Sequence, residues 1–304
     1  MKADTRFGVE LALLALLALL WGSSYLFIKV ALRDIPPFTL IAIRVTIAAI
    51  FLLVVMRWHG LSLPHGGADW RRLFIQSFFN SVGAWTVLAW GQQYISSGLA
   101  SVLNSTSPLF VFLITFAVTR HEPVNGRKLV GALVGMTGVV LVIGPQVLSG
   151  IGLQAAGSVA ALTGALLYAG AAIYGRNLNH LPATVTAAGT MICASLCLVP
   201  VAIVHDRPWT LVISPPSAAA AVTLAVLCTG VALLIYFRLV RTLGSMGVAS
   251  QSYLRAGIGV VLGIIVLGES FGAMVAAGLA CAIIGVALIN MPVRERSGFT
   301  SAGR

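Results

Sequence analysis

The chain has 304 residues, of which 59% are hydrophobic and only 9% are charged, and its mean hydropathy is +0.99. A water-soluble protein of this length has too small an interior to hide so much apolar surface, which excludes an ordinary globular enzyme or binding domain. The net charge of +11 is spread over short segments between apolar runs, which argues against a nucleic-acid partner. We therefore expect an integral membrane protein whose solvent is the lipid bilayer.

Ten apolar runs are long enough to cross a bilayer, because a helix of about 20 residues spans the hydrocarbon core of roughly 30 Å. Some connections between these runs are only a few residues long, as at 96–98 and 268–269, so successive helices must run antiparallel. The predicted fold is therefore all-α, with ten transmembrane helices. The runs lie at about 9–31, 37–56, 73–93, 98–119, 128–145, 155–176, 183–204, 218–240, 247–267 and 270–290.

The positions of lysine and arginine predict the orientation of the chain. If the N-terminus is cytoplasmic, most of the 19 basic residues fall on the cytoplasmic side, and only Lys29, Arg33 and Arg207 fall on the outer side. This asymmetry follows the positive-inside rule. We expect a multi-pass protein of the cell's inner (plasma) membrane with both termini in the cytoplasm.

The two halves of the chain contain the same landmarks in the same order, which predicts two five-helix repeats at 1–151 and 152–304. Five is an odd number, so the second repeat enters the membrane from the opposite side and the repeats are inverted. Inverted repeats favour a carrier with a site near the midplane that works by alternating access. The matching landmarks are Glu122, Gly131 and Gly138 with Glu269, Gly278 and Gly285, 98–101 with 247–250, Trp21 and Lys29 with Tyr168 and Arg176, and Pro37 with Pro182.

Several short motifs resemble the EamA-type family of the drug/metabolite transporter superfamily, and the resemblance covers nearly the whole chain. They are the run LWGSS at 20–24 with Lys29, Arg44, Pro108 and the repeated Glu, Gly, Gly spacing. The resemblance implies a ten-helix, two-repeat exporter of small metabolites, with amino-acid exporters, including an aromatic amino-acid and drug-exporting branch, as the nearest fit. One departure is at 255–257, where Arg-Ala-Gly replaces the Ser107-Pro108 of the first half. We expect the ninth helix to bend less, or to bend at glycine.

Charged residues inside the predicted spans are rare. All eight acidic residues and five histidines fall at helix ends or in loops. Proton relays use such groups within the membrane, so we expect facilitated transport or exchange rather than proton coupling. Arg44 and Arg255 lie inside spans, where an arginine costs about 2.5 to 3.5 kcal/mol without a partner. We interpret Arg44 as structural, and Arg255 either as structural or as a group that binds a substrate carboxylate.

Polar and aromatic residues on the membrane helices complete the candidate site. Asn80 and Asn104 are costly in lipid unless hydrogen-bonded, so they should face the bundle interior, where they bind substrate or pair with a neighbouring helix. The predicted substrate-binding residues are Trp21, Ser24, Phe78, Phe79, Asn80, Trp85, Ser101, Asn104, Tyr168, Ser250, Gln251, Tyr253 and Arg255. The predicted structural residues are Arg44, Pro108, Gly131, Gly138, Gly278 and Gly285.

Small-residue pairs such as Gly131 with Gly135 and Gly259 with Gly263 predict close helix contact, either within one chain or in a homodimer. The sequence contains no GxSxG, HExxH or P-loop pattern, and the four cysteines lie in spans without a CxxC pair. We therefore predict no catalytic residues, no metal and no cofactor. The favoured function is a carrier that exports small organic metabolites, best amino acids with aromatic or other hydrophobic side chains. The alternatives are a pore-like channel, a carrier for drugs or sugars and, with least support, an intramembrane enzyme.

Overall fold

The computed structural model describes residues 2–115, 126–148, 152–236, 238–239, 242, 251–270 and 272–290, and these form ten helices. The ten predicted spans are confirmed, with ends that differ by a few residues. The helices are α1 (Lys2–Ala31), α2 (Pro37–Trp58), α3 (Gly67–Ser77, Phe78–Trp85 and Thr86–Gly91), α4 (Ser97–Asn104 and Ser107–Ile114), α5 (Gly126–Leu148), α6 (Leu153–Tyr174), α7 (Ala183–Asp206), α8 (Pro215–Ala225, Val226–Val231 and 232–236), α9 (Gln251–Leu267) and α10 (Ala273–Asn290).

The outer surface of the bundle is apolar, as a lipid solvent requires. Large side chains such as Leu196, Ile265 and Val140 are exposed by 71%, 75% and 62%. Within the described ranges, six helices are long and apolar enough to cross a membrane, and α5, α9 and α10 contribute shorter apolar stretches. The protein is therefore a multi-pass membrane protein whose two inverted repeats each contribute five helices.

Two helices leave the regular α-helical path at equivalent places in the two repeats. α3 contains a π-helical segment at Phe78–Trp85, and α8 contains one at Val226–Val231. Helix α4 is interrupted at 105–106 and resumes with Pro108 in the first turn of its second segment. Proline is tolerated there because the N–H that it lacks would have no helical partner. The equivalent helix α9 has no proline and runs without a break from Gln251 to Leu267.

Glycines bring α5 and α10 into backbone contact. A Cβ atom added at Gly138 would lie 2.6 Å from the carbonyl oxygen of Gly278, and one added at Gly285 would lie 2.6 Å from that of Gly131. In the sequence repeat, Gly138 corresponds to Gly285 and Gly278 corresponds to Gly131, so the two contacts are equivalent. This equivalence is expected for an interface on a two-fold pseudo-axis. These glycines therefore pack against each other within one chain.

Helices α2 and α7 meet at the centre of the largest apolar core, which includes Leu40, Val45 and Met191. We call the side of the bundle where α1 ends the distal face and the opposite side the N-terminal face. At the distal face the Asp206 carboxylate accepts hydrogen bonds from the Thr39 backbone N–H (2.7 Å) and hydroxyl (2.9 Å). The first of these bonds satisfies a free N–H group at the start of α2 from the end of a helix in the other repeat.

Candidate functional site

Arg44 of α2 lies at the centre of the structure and is only 5% exposed. Its guanidinium carbon is 3.7 Å from the centroid of the Trp85 ring, and its Nε donates a hydrogen bond of 2.9 Å to the Thr229 hydroxyl. A desolvated cation–π contact of this kind contributes about 2 kcal/mol, and hydrogen bonds from charged donors are stronger than neutral ones. Arg44 therefore joins α2 to α3 and α8 through two neutral partners.

Both partners of Arg44 lie in the π-helical segments. Trp85 ends the segment of α3, and Thr229 lies within that of α8. The Thr229 hydroxyl also donates to the Leu224 carbonyl oxygen at 2.8 Å, five residues earlier, and so satisfies a carbonyl in the widened turn. Single-turn π segments occur frequently at functional sites because the extra residue re-aims nearby side chains. The two π-helical segments lie in the third helix of each repeat, so the two repeats contribute equivalent segments to this site.

The network continues from the first repeat into the second. The Trp85 indole N–H donates to the hydroxyl of Tyr168 on α6. The Tyr25 hydroxyl on α1 interacts electrostatically with both Arg44 and Tyr168. It also accepts a hydrogen bond of 2.7 Å from the Asn104 amide on α4. We call Tyr25, Arg44, Trp85, Asn104, Tyr168 and Thr229 the central cluster, to which α1, α2, α3, α4, α6 and α8 each contribute one residue.

Arg255 of α9 lies beside the central cluster. Its backbone carbonyl oxygen accepts from the Ser101 hydroxyl at 3.3 Å, one turn before Asn104 on α4. The close approach depends on glycine, because a Cβ atom at Gly22 would lie 3.0 Å from that carbonyl and one at Gly259 only 2.3 Å from the Ser101 hydroxyl. The Arg255 side chain interacts electrostatically with Tyr168. Its Nε is buried and has no hydrogen-bond partner among the residues that the structure describes.

Four of the other predicted site residues make their contacts elsewhere in the bundle. Trp21 packs against Tyr236 with ring centroids 5.4 Å apart, and the Ser24 hydroxyl donates to the Trp21 carbonyl oxygen of its own helix. Phe78 is 52% exposed on the outer surface, and Phe79 packs against Tyr174.

The remaining predicted residues lie on α3 and α9 or outside the described part of the chain. The Asn80 amide donates to its neighbour Ser81 at 3.4 Å. Gln251 is buried at the start of α9. Ser250 and the side chain of Tyr253 lie outside the described residues.

Sequence reasoning named Trp85, Asn104 and Tyr168 but missed Tyr25 and Thr229, and it named Arg44 only as structural. Tyr25 directly follows two serines in α1, and Thr229 is a polar residue in an apolar helix. Both would have been found by asking which polar groups inside a span need a partner, since an unsatisfied polar group in hydrocarbon is costly.

A second group of polar contacts lies at the distal face. Lys29 at the end of α1 donates to the backbone carbonyl oxygens of Gln92 (2.6 Å) and Ile95 (2.7 Å), just after α3 ends. The Glu269 carboxylate accepts from the backbone N–H groups of Ser97 (2.6 Å) and Gly98 (3.0 Å), where α4 begins. Each charge has the sign that a helix end favours: a cation at free carbonyls and an anion at free N–H groups.

We call these contacts the distal clamp, because Lys29 and Glu269 attach α1 and the α9–α10 link to the corner between α3 and α4. Gly268 precedes Glu269 with a φ of +67°, a left-handed conformation that glycine adopts without strain. At the N-terminal face, Glu10 of α1 instead forms an ion pair of 2.9 Å with Arg238, which follows the last residue given for α8 by two positions.

The chain is similar to two relatives that are named as transporters and to one solved structure. The chain is 26% identical to the "Uncharacterized inner membrane transporter YedA" of Escherichia coli K12, spanning 90% of this chain and 88% of the relative. It is 28% identical to an "Uncharacterized transporter" of Archaeoglobus fulgidus, spanning 80% and 83%. A crystal structure with 18% sequence identity superposes with a TM-score of 0.64, covering 92% of this chain and 96% of the other, and shows the same fold.

The model of the EamA-like transporter family matches this chain twice, at residues 8–144 and 155–291. Each match contains five of the ten helices, and both contribute residues to the central cluster. The chain belongs to the EamA-like transporter family.

Proposed function

We propose that this protein is a carrier that exports small organic metabolites across the membrane by alternating access, with aromatic or other hydrophobic amino acids as the best substrates. The proposal divides the chain into the repeats 1–151 and 152–304, with a shared site at the centre. Carriers built from inverted repeats bind their substrates near the midplane, at the interface of the repeats.

The observation that carries the proposal is the central cluster. It combines four residues of the first repeat with Tyr168 and Thr229 of the second, and its charged member Arg44 is buried among aromatic and hydroxyl groups. A substrate that bridges the two sets of side chains would interact with both repeats at once. Trp85 and Tyr168 offer aromatic surface, which suits a flat or bulky apolar side chain.

The distal clamp supports the alternating-access part of the proposal. In the sequence repeat, Lys29 corresponds to Arg176 and Glu269 to Glu122. Lys29 is bonded to two carbonyl groups, whereas Arg176 is exposed, and Glu122 lies outside the described residues. We propose that Arg176 and Glu122 form the equivalent clamp at the N-terminal face when the distal clamp opens. The two faces would then close in turn, each by the same chemistry.

The distribution of acids supports downhill transport or exchange rather than proton coupling. Among the acids whose side chains the structure describes, Asp34, Asp69, Asp206 and Glu269 lie at helix ends or in the connections between helices, and Glu10 lies in the N-terminal third of α1, paired with Arg238. A proton-coupled carrier usually holds a titratable group within the bundle interior. In liposomes, a pH gradient imposed across the membrane should therefore leave the final substrate ratio unchanged. Accumulation against the concentration gradient would refute this part.

Counterflow in liposomes tests the proposed function. Purified protein is reconstituted and loaded with unlabelled amino acids, sugars or cationic drugs, and the uptake of the labelled compound is followed. A carrier gives saturable uptake that is stimulated by substrate on the opposite side. A pore gives linear flux without this stimulation, and chemical conversion of the compound would indicate an enzyme. The compound with the largest stimulation identifies the substrate class.

The orientation belongs to the same proposal. We propose the inner (plasma) membrane as its location, with both termini cytoplasmic and the distal face outside. YedA, the Escherichia coli relative, is described as an inner membrane transporter. The placement of the C-terminus is tested by fusing to residue 304 a reporter protein that is active on only one side of the membrane. A C-terminal reporter active outside the cytoplasm would refute it. The functional unit is a monomer or a homodimer.

A further inference from the structure

The most unusual chemical feature of the bundle interior is positive charge without an acid. Arg44 and Arg255 are the two basic residues well inside the predicted spans. In the described ranges, the carboxylates bond elsewhere: Asp34 and Asp206 to helix starts, Glu269 in the distal clamp, Glu10 to Arg238 and Asp69 to Arg72. None of these bonds reaches Arg44 or Arg255. Arg44 is buried and Arg255 is partly buried, so a charge without a counter-charge is costly at both positions, and a bound anion reduces that cost.

We infer that the central cluster and Arg255 bind a carboxylate group of the substrate, and that the cluster selects acids and zwitterions over amines and neutral compounds. The inference rests on the proposed carrier function and names the substrate class for that same site. Arg255 would contact the carboxylate directly, because Arg44 already uses its Nε for Thr229 and its face for Trp85.

The unpaired polar atoms of the cluster fit this ligand. The Nε of Arg255 is a buried donor without a partner among the described residues, and the Asn104 Oδ1 is a buried acceptor in the same condition. Asn104 is only 1% exposed, and its amide nitrogen is held by Tyr25. A guanidinium donor suits a carboxylate, and a free amide oxygen suits an ammonium group. These are the kinds of atom that bind the carboxylate and the ammonium group of an α-amino acid.

The two unpaired atoms belong to neighbouring parts of the bundle. The Arg255 carbonyl contacts Ser101, and Asn104 follows Ser101 by three residues on the same face of α4. Tyr168 lies within electrostatic range of both arginines. A small substrate bound beside Ser101 would meet groups from α4 and α9, which lie in different repeats.

Binding of three related probes to the purified protein tests the inference. L-phenylalanine carries both charges, 3-phenylpropionate carries only the carboxylate, and phenethylamine carries only the ammonium group. Calorimetry should give measurable affinity for the first two and at least about tenfold weaker affinity for phenethylamine, because a hydrogen-bonded charge pair is worth a factor of this size. Equal affinity for phenethylamine and 3-phenylpropionate would overturn the inference.

Variants separate recognition from folding. Arg255→Gln should lower the affinity for both carboxylates at least about tenfold, and Arg255→Lys should retain part of it. Asn104→Asp supplies an acid beside the cluster, so it should weaken 3-phenylpropionate binding and strengthen phenethylamine binding, a reversal that simple misfolding cannot produce. The matched control is Arg238→Gln at the N-terminal face, which should leave all three affinities unchanged. Unaltered affinities in Arg255→Gln and Asn104→Asp would refute the site.

The outcome also distinguishes this inference from the carrier function. If counterflow identifies a transported sugar or amine and no carboxylate probe binds, the carrier function stands and the anion site fails. If carboxylates bind through Arg255 but no compound shows counterflow, the anion site stands and the carrier function fails. If no probe binds and no compound shows counterflow, both are refuted.

Discussion

Replacing Glu269 with glutamine should open the distal face. The carboxylate accepts from two backbone N–H groups, at Ser97 and Gly98, and lies in the field of the half-buried Lys29. Glutamine keeps one acceptor oxygen but presents an NH₂ group to the second N–H, so one charge-assisted hydrogen bond is lost and the other is weakened. A hydrogen bond to a charged group contributes about 1.5 to 3 kcal/mol, so we expect a loss of about 2 to 3 kcal/mol.

This loss applies to the closed distal face alone, because the bonds exist only when the corner between α3 and α4 is attached to the α9–α10 link. A change of about 2 to 3 kcal/mol raises the population of the open state about 30- to 150-fold, since each 1.4 kcal/mol is a factor of ten. Even a rarely sampled open state should therefore become measurable.

The natural residue Cys228 provides the readout. Its side chain is fully buried, and its sulfur lies 3.8 Å from the Ser23 hydroxyl, on the same turn of α8 as Thr229. The other cysteines, Cys193, Cys197 and Cys281, are first replaced by alanine. A membrane-impermeant thiol reagent is then added to right-side-out vesicles, and the rate of Cys228 modification is measured. We expect at least about a tenfold faster rate in Glu269→Gln than in its parent.

The matched control is Glu10→Gln, which removes the same charge from the ion pair with Arg238 at the opposite face. It should not accelerate labelling from the distal side. If Glu269→Gln leaves the rate unchanged, or if Glu10→Gln raises it equally, the distal clamp does not govern access and the reasoning is wrong.

Three further predictions concern stability. Gly138→Val places a Cβ atom 2.5 Å from the Ala282 backbone nitrogen, so it should destabilise the fold by about 1 to 3 kcal/mol and lower the Tm in detergent, whereas Gly126→Val on the same helix meets open space and should not. Thr229→Val leaves the Arg44 Nε without its acceptor and should lower the Tm, whereas Thr229→Ser should restore it. Hydrogen bonds from Ser214 lower the pKa of Asp34. The stability that this carboxylate contributes is therefore present at neutral pH and is lost as the pH falls through the lowered pKa. Asp34→Asn should remove that part of the acid dependence of thermal unfolding. Equal Tm values for the two glycine variants, or for Thr229→Val and its parent, or an unchanged acid profile in Asp34→Asn, would contradict these expectations.

The close packing of α5 and α10 illustrates how far a pattern can reach. The small-residue pair Gly131 and Gly135 predicted close helix contact, and the repeated spacing of Gly131, Gly138, Gly278 and Gly285 marked the two repeats. The spacing could not say which helix would approach. In the structure each glycine pair contacts the other, within one chain.

The charged residues at the helix ends illustrate the limit. The sequence predicted that Asp206 and Glu269 lie at helix ends or in loops, and it used Lys29 and Glu269 as landmarks of the repeats, without assigning any of the three a partner. In the structure they bond to the ends of helices that are distant in sequence, such as α2 and α4. Hydropathy identifies where a helix ends but carries no information about which other end lies beside it.

The sequence by itself determined the ten helices and the inverted repeats. Each apolar run must satisfy its own backbone within the membrane, and five helices per repeat necessarily reverse the second one. The tertiary structure alone decided the central cluster. Arg44 reaches Thr229 across 185 residues of sequence, and the π-helical segments that carry Trp85 and Thr229 depend on packing between helices. Such contacts join residues whose local patterns are independent, so only the folded bundle brings them together.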